Sequence, residues 1–219
     1  MPMRVLSIIL SRLALILLSH EWATLERELR RLYDDHRRDD VYRPSWLLQA
    51  LLLSGEDHRF FAHDGIDAIA ICRALWRGVF LGKKEGASTI EMQLVRVLTG
   101  RYERTLVRKV REAALATLLT RVVPKPELPA LYIRVGYFGW RMNGFAAACR
   151  RMQLSPPVIT AQHAAALIAR LKYPEPQNPS EMRRSQIHMR SMHLLALHRK
   201  HVDQVVYRDL RIEEGYATV

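Results

Sequence analysis

The chain has 219 residues, 49% hydrophobic and 26% charged, with 10 Gly and 10 Pro. That length and apolar fraction suffice for a packed core and exclude a largely disordered or collagen-like chain. Lys and Arg number 34 against 22 Asp and Glu, a net charge of +12, which points to an anionic partner: nucleic acid, an acidic membrane surface or a phosphorylated substrate.

Val5 to Ser19 reads VLSIILSRLALILLS, apolar apart from Arg12 and its serines. A helix over this stretch is roughly 22 Å long against a hydrocarbon core of about 30 Å, and Arg12 costs about 2.5–3.5 kcal/mol near the bilayer centre. The residues around Ser19 make poor signal cleavage sites, so an uncleaved anchor with Arg12 snorkelling is expected. An amphipathic helix capping the fold or lying on the bilayer is the other reading. The arginines after the segment (Arg27, Arg30, Arg31, Arg37, Arg38) outnumber Arg4 before it, which runs against an orientation with the body outside.

Glu21 to His36 places Leu25, Leu29 and Leu32 at helical spacing among charges, a connecting helix. Ser45 is an expected N-cap for the apolar run Trp46 to Leu53. Further helices are predicted over Ile66–Leu81, Ile90–Leu98, Thr105–Val123, Leu128–Val135, Thr160–Leu171 and Ser180–His201, with a Lys-rich loop over Gly82–Gly86. No alternating run predicts a strand. Cys72 and Cys149 sit in apolar helical stretches and are expected as buried thiols. The fold class is mainly α, with a charged connecting helix over residues 20–45 between an anchor at 1–19 and one domain at 46–219.

Three polar clusters carry chemistry. Glu56-Asp57-His58-Arg59-Phe60-Phe61-Ala62-His63-Asp64-Gly65 follows an apolar helix directly, so Glu56 is delivered at the end of a buried element. Such surroundings raise a carboxyl pKa and fit it for acid–base work; a polar helix end satisfied by its own neighbours is the plainer reading. Gly86-Ala87-Ser88-Thr89-Ile90-Glu91-Met92-Gln93 is a small-residue turn opening a helix, suited to phosphate or sugar oxygens or simply a Ser/Thr cap. In Arg104 to Glu112, Arg108 and Glu112 share a helix face with Lys109 beside them, a carboxylate flanked by cations or a solvated surface pair. The His-rich stretch His188–His201 shows no metal spacing and reads as helix surface.

Together, in this order, these clusters resemble glycosyltransferase family 51, the peptidoglycan transglycosylases of bacterial cell walls. Glu56, Asp57, Phe60, His63 and Gly65 fill the family's first motif, Glu-Asp-x-x-Phe-x-x-His-x-Gly. Gly86, Ser88, Thr89 and Gln93 match its second, with Met92 in place of a Gln. Arg108, Lys109 and Glu112 match its third, Arg-Lys-x-x-Glu. Lys125-x-Glu127-Leu128, Tyr137-Phe138-Gly139 and Asn178-Pro179 continue it. The pattern is departed from at Ala130, Arg134, Ala146 and His163.

The resemblance implies a lysozyme-like helical domain on an N-terminal membrane anchor, at the bacterial inner membrane with the domain on its outer face. It implies lipid II as substrate, extended into a growing β-1,4 glycan with inversion and release of undecaprenyl pyrophosphate. Glu56 would be the base and Glu112 the second catalytic carboxylate. Asp57, Phe60, His63, Gly86, Ser88, Thr89, Gln93, Arg104, Arg108 and Lys109 would bind substrate. A divalent cation, Mg²⁺ or Mn²⁺, would assist, with no ligands assigned to it and no organic cofactor. Expected partners are the membrane and other cell-wall synthesis proteins. Nucleic acid is not expected, since the arginines are dispersed and no binding motif appears. No Ser-x-x-Lys or Lys-Thr-Gly occurs, so a monofunctional enzyme without penicillin-sensitive transpeptidation is expected. The alternatives are a degenerate member acting as a membrane-bound scaffold and a lysozyme-like hydrolase.

Overall fold

The computed structural model describes residues 2–82, 86–202, 205–207 and 209–210. The lysines of the expected 82–86 loop and the last nine residues of the expected third segment lie outside the described residues. In chain order the helices are α1 (Pro2–Leu17), α2 (Ser19–Arg38), α3 (Trp46–Glu56), α4 (Ala68–Leu81), α5 (Ile90–Thr99), α6 (Leu106–Ala116) and α7 (Leu128–Val135). A hairpin, β1 (Tyr137–Gly139) and β2 (Met142–Asn143), then leads to α8 (Phe145–Met152), α9 (Ala161–Lys172) and α10 (Glu181–His201). The chain is mainly α, as its apolar periodicity predicts.

These elements form two compact units, Met1–Leu32 with Arg59–Lys125, and Tyr33–His58 with Pro126–Val219. In the first, α1 packs on α6, and α6 packs on α5. The predicted anchor does form a helix, but among the described residues no single helix is long and apolar enough to cross a membrane. After Leu17 the chain bends by 103° into α2. The bend keeps its backbone ladder, since Leu18 N–H donates to Ala14 O at 2.9 Å and Trp22 N–H to Leu18 O at 2.7 Å. Ala14, Trp22, Leu25 and Leu29 are buried, whereas Ile8, Ile9, Ile16 and Leu17 stay exposed.

Local sequence sets most helix ends. Asp67, Thr89 and Thr105 accept backbone N–H groups from the first turns of α4, α5 and α6, satisfying donors that a helix start leaves unpaired. Gly82 and Gly100, at φ +60° and +64°, close α4 and α5. The predicted helix over Thr105–Val123 is shorter than expected: α6 stops at Ala116, and Leu119–Arg121 is a 3₁₀ turn. Thr117 Oγ1 donates to Ala114 O at 2.7 Å, competing with the ladder. Gly65 (φ +89°) also presses on this end, and a Cβ there would lie 2.7 Å from Ala116 O.

In the second unit α3 is buried on every side, with Leu48, Ala50, Leu51, Leu52 and Leu53 at 0% exposure, as an uninterrupted apolar run requires. It packs against α7, α9 and α10. Ser45 holds the N-cap position but makes no side-chain cap bond. The hairpin corrects the expectation of no strands. It pairs Tyr137 with Asn143 and Gly139 with Met142, too short for alternation to reveal. The segment after it, Phe145–Met152, folds as an extra helix, started at Gly144 and closed by Gln153 at φ 54°. The histidines of α10 are not all surface. His201 is buried and hydrogen-bonded to Ser54 Oγ at 3.0 Å, Ser54 also meets Tyr207, and Tyr207 bonds His198 at 2.9 Å. Burial holds both imidazoles below their usual pKa. Cys149 is buried as expected, but Cys72 on α4 is exposed.

Candidate active site

The first unit carries a charged arrangement on α5 and α6. Glu112 lies on α6 with only 2% exposure. Its i−4 neighbour Arg108 reaches Oε1, as the spacing predicts. Arg96, on α5, completes the grip with Nε on Oε1 at 2.9 Å and Nη2 on Oε2 at 3.0 Å. The second cation is therefore Arg96, and the predicted Lys109 is exposed, as is Arg104. Bidentate guanidinium pairing both neutralises the buried carboxylate and fixes its plane. Beside it lies a small depression, lined in part by Glu21, Arg101, Arg108, Arg111 and Glu112. Glu21 is held there by Arg111 at 3.3 Å and Arg101 at 3.5 Å. Arginines that hold a buried carboxylate beside a depression in the surface are a setting for an anionic group.

A second ion pair lies deeper in the same unit. Lys125 Nζ donates to Glu91 Oε1 at 2.8 Å and to His63 O, and sits 4.4 Å from the centroid of the Phe60 ring. Glu91 is fully buried. His63 Nδ1 stands 3.9 Å from Glu91 Oε1. Phe60 and His63, expected to bind substrate, are thus core residues that seat Lys125. Thr89 is likewise buried, its hydroxyl donating to Gly65 O at 2.8 Å while accepting from Met92 N–H at 3.2 Å. That tie joins the Glu56–Gly65 cluster to the Gly86–Gln93 cluster inside the core. Gly86 is exposed, and Ser88 and Gln93 are half-buried.

In the second unit Glu56 is the last residue of α3, with Asp57 buried at its C-cap. Its surroundings are not the purely apolar ones expected: Arg190, on α10, donates Nη2 to Glu56 Oε1 at 2.8 Å and to Gly55 O at 2.6 Å. The expected contrast between one apolar and one cation-flanked glutamate is corrected accordingly, because each carries an arginine. Arg96 and Arg190 escape sequence reading. Arg190 leaves one local trace, a charge on the stripe formed by the buried Ile187, Ser191 and Leu194. Both oxygens of Glu112 are held by guanidinium groups, so that carboxylate fits a divalent cation poorly.

A family model described as Transglycosylase matches residues 26–198. The chain belongs to the transglycosylase family. It is similar to penicillin-binding protein 1A of Haemophilus influenzae, 38% identical over 138 residues covering 62% of this chain and 16% of that protein. Penicillin-binding protein 1A of Escherichia coli K12 is 38% identical over 108 residues, 49% of this chain and 13% of that protein. Penicillin-binding protein 1F of Bacillus subtilis is 39% identical over 94 residues, 42% of this chain and 13% of that protein. The match spans less than a fifth of each relative's length.

As a transglycosylase-family chain, its departures from the motif pattern have structural counterparts. Met92 and Ala130 are buried at 5% and 2% exposure, so packing stands where the pattern has a polar group. Arg134 is committed to Asp39 at 2.8 Å. Ala146 lies in the first turn of α8 and His163 is exposed on α9. None of the four contacts described for Glu56 and Glu112 involves these positions.

Proposed function

We propose that this chain polymerises lipid II into β-1,4-linked glycan with inversion at the donor carbon, in bacterial cell-wall synthesis. The observation that carries the reading is the buried Glu112 gripped by Arg96 and Arg108 beside an arginine-lined depression. Departure of a pyrophosphate builds negative charge, and fixed guanidinium groups stabilise it without reorganising. Glu56 is the base. It takes the proton of the acceptor 4-hydroxyl as that oxygen attacks the donor anomeric carbon from the face opposite the pyrophosphate. The carbon–oxygen bond to undecaprenyl pyrophosphate breaks, and its electron pair leaves with the carrier. Glu112 keeps Arg96 and Arg108 ordered toward the departing phosphates.

The lipid carrier places the enzyme at the inner membrane, with its domain on the outer face. The exposed Ile8, Ile9, Ile16 and Leu17 of α1 and the exposed Trp76, Phe80 and Leu81 of α4 support membrane contact, since apolar side chains of this size favour the acyl boundary. The test is polymerisation of purified lipid II in detergent by the native chain and by Glu56→Gln. Glycan from the first and none from the second is the expected result. A folded native chain that makes no glycan, or a Glu56→Gln variant as active as the native, overturns the reading.

A further inference from the structure

Arg190 makes two contacts through one nitrogen, and they differ in kind. Its Nη2 donates to Glu56 Oε1 at 2.8 Å and to Gly55 O at 2.6 Å. α3 ends at Glu56, so the Gly55 carbonyl is one of the last-turn acceptors that the helix cannot satisfy itself. A cation there also meets the negative end of the helix dipole. The guanidinium is thereby anchored to the backbone independently of the Glu56 side chain, whose orientation it then dictates.

The surroundings are shaped for this. The Arg190 side chain is 10% exposed and that of Glu56 20%, so the pair is largely withdrawn from water while the carboxylate keeps an outlet. At Gly55 a Cβ would lie 2.9 Å from Arg190 Nη2 and 2.3 Å from Leu194 Cδ2, so a side chain there would shift both groups from the positions they hold at the helix end. Arg190 itself is carried on the buried stripe of α10, between Ile187 and Leu194.

We infer that Arg190 is a positioning residue: by holding Glu56 Oε1 against the end of α3 it leaves Oε2 as the oxygen that accepts the acceptor hydroxyl's proton. This rests on the reading of Glu56 as the base. In the step, the O–H bond of the acceptor breaks and an Oε2–H bond forms, while the Arg190 hydrogen bond to Oε1 persists. Loss of a fixed orientation costs rate rather than binding, because misplacement of a reacting group by about 1 Å costs on the order of 10²-fold.

The test is lipid II polymerisation kinetics with the full chain, comparing native, Glu56→Gln, Arg190→Ala and Arg190→Lys, with folding followed by circular dichroism. Arg190→Ala is expected to lower kcat about 10²-fold with KM unchanged. Arg190→Lys, which can still reach Oε1, is expected to recover about tenfold of that loss. Millimolar guanidinium is expected to raise the rate of Arg190→Ala and not that of Glu56→Gln. A purely structural arginine would lower thermal stability and give no guanidinium rescue, so a folded Arg190→Ala chain that lacks both rescues overturns the proposal. An active native chain whose Glu56→Gln variant is dead while Arg190→Ala keeps native kcat overturns the proposal alone. A native chain that makes no glycan overturns it together with the role of Glu56. Should Arg190→Ala fail to fold, Arg190→Lys carries the test: native kcat overturns the proposal, and a lowered kcat at unchanged KM supports it.

Discussion

Replacing Arg96 by Met asks how much the fork on Glu112 contributes. The substitution keeps the apolar stem of the side chain and removes two charge-assisted hydrogen bonds, at 2.9 and 3.0 Å, each worth about 1.5–3 kcal/mol. Breaking one side of a buried pair costs about 3–5 kcal/mol when nothing else remains. Here Arg108 stays on Oε1, and the Arg96 side chain is 27% exposed, so solvent already screens part of its charge. The net expectation is a loss of about 2–3 kcal/mol. For a chain of this size that lowers Tm by about 5–10 °C. Differential scanning calorimetry of native, Arg96→Met, Glu112→Gln and the double variant separates the pair energy from loss of packing. The cycle should show a coupling above about 1 kcal/mol, because an amide at position 112 no longer holds a buried charge. A change in Tm below about 1 °C, or an equal loss in the Glu112→Gln background, refutes the reasoning.

Two further outcomes follow from burial. Burial, together with the Arg43 and Arg134 guanidiniums and against the pull of Asp39, holds His36 at about 4 instead of 6.5. The unfolded chain therefore binds one more proton between those values, so stability is complete above about pH 6.5 and falls on acidification, by about 3 kcal/mol at pH 4. Urea midpoints at about pH 7 and about pH 4.5 should show this loss in the native chain and a smaller one in His36→Gln; equal losses would exclude His36 as the cause. Cysteine reactivity should be split as well. Cys72 is exposed, whereas Cys149 is buried and its thiol is pushed up to about 11. Brief alkylation of the folded chain, read by mass spectrometry, should mark Cys72 and spare Cys149 until denaturant is added. Labelling of Cys149 at the same rate would contradict the packing of α8.

Features resting on neighbouring residues are legible in this sequence. The run Trp46–Leu53 announces a helix buried all round, and so places Glu56 at its end. Thr89, Thr105, Thr160 and Ser180 cap helices through bonds to residues three positions on. The Arg108–Glu112 pair is set by helical pitch alone. The spacing of Glu56 through Gly65, then Gly86 through Gln93, then Arg108 through Glu112 marks the family before any coordinate is known.

What the tertiary structure decides is which distant group completes each of these local arrangements. Arg96 meets Glu112 from 16 residues away, Lys125 meets Glu91 from 34, and Arg190 meets Glu56 from 134. No periodicity links such pairs, because α5 against α6 and α10 against α3 are juxtaposed by the packing of their apolar faces. The bend after α1 and the short hairpin are settled in the same way, by what lies against them. Sequence alone places the carboxylates and names the family; the long-range cations that hold Glu56 and Glu112 are placed by helices packing to bury Leu51, Leu94, Leu115 and Leu194, an energy summed over the core and written in no single segment.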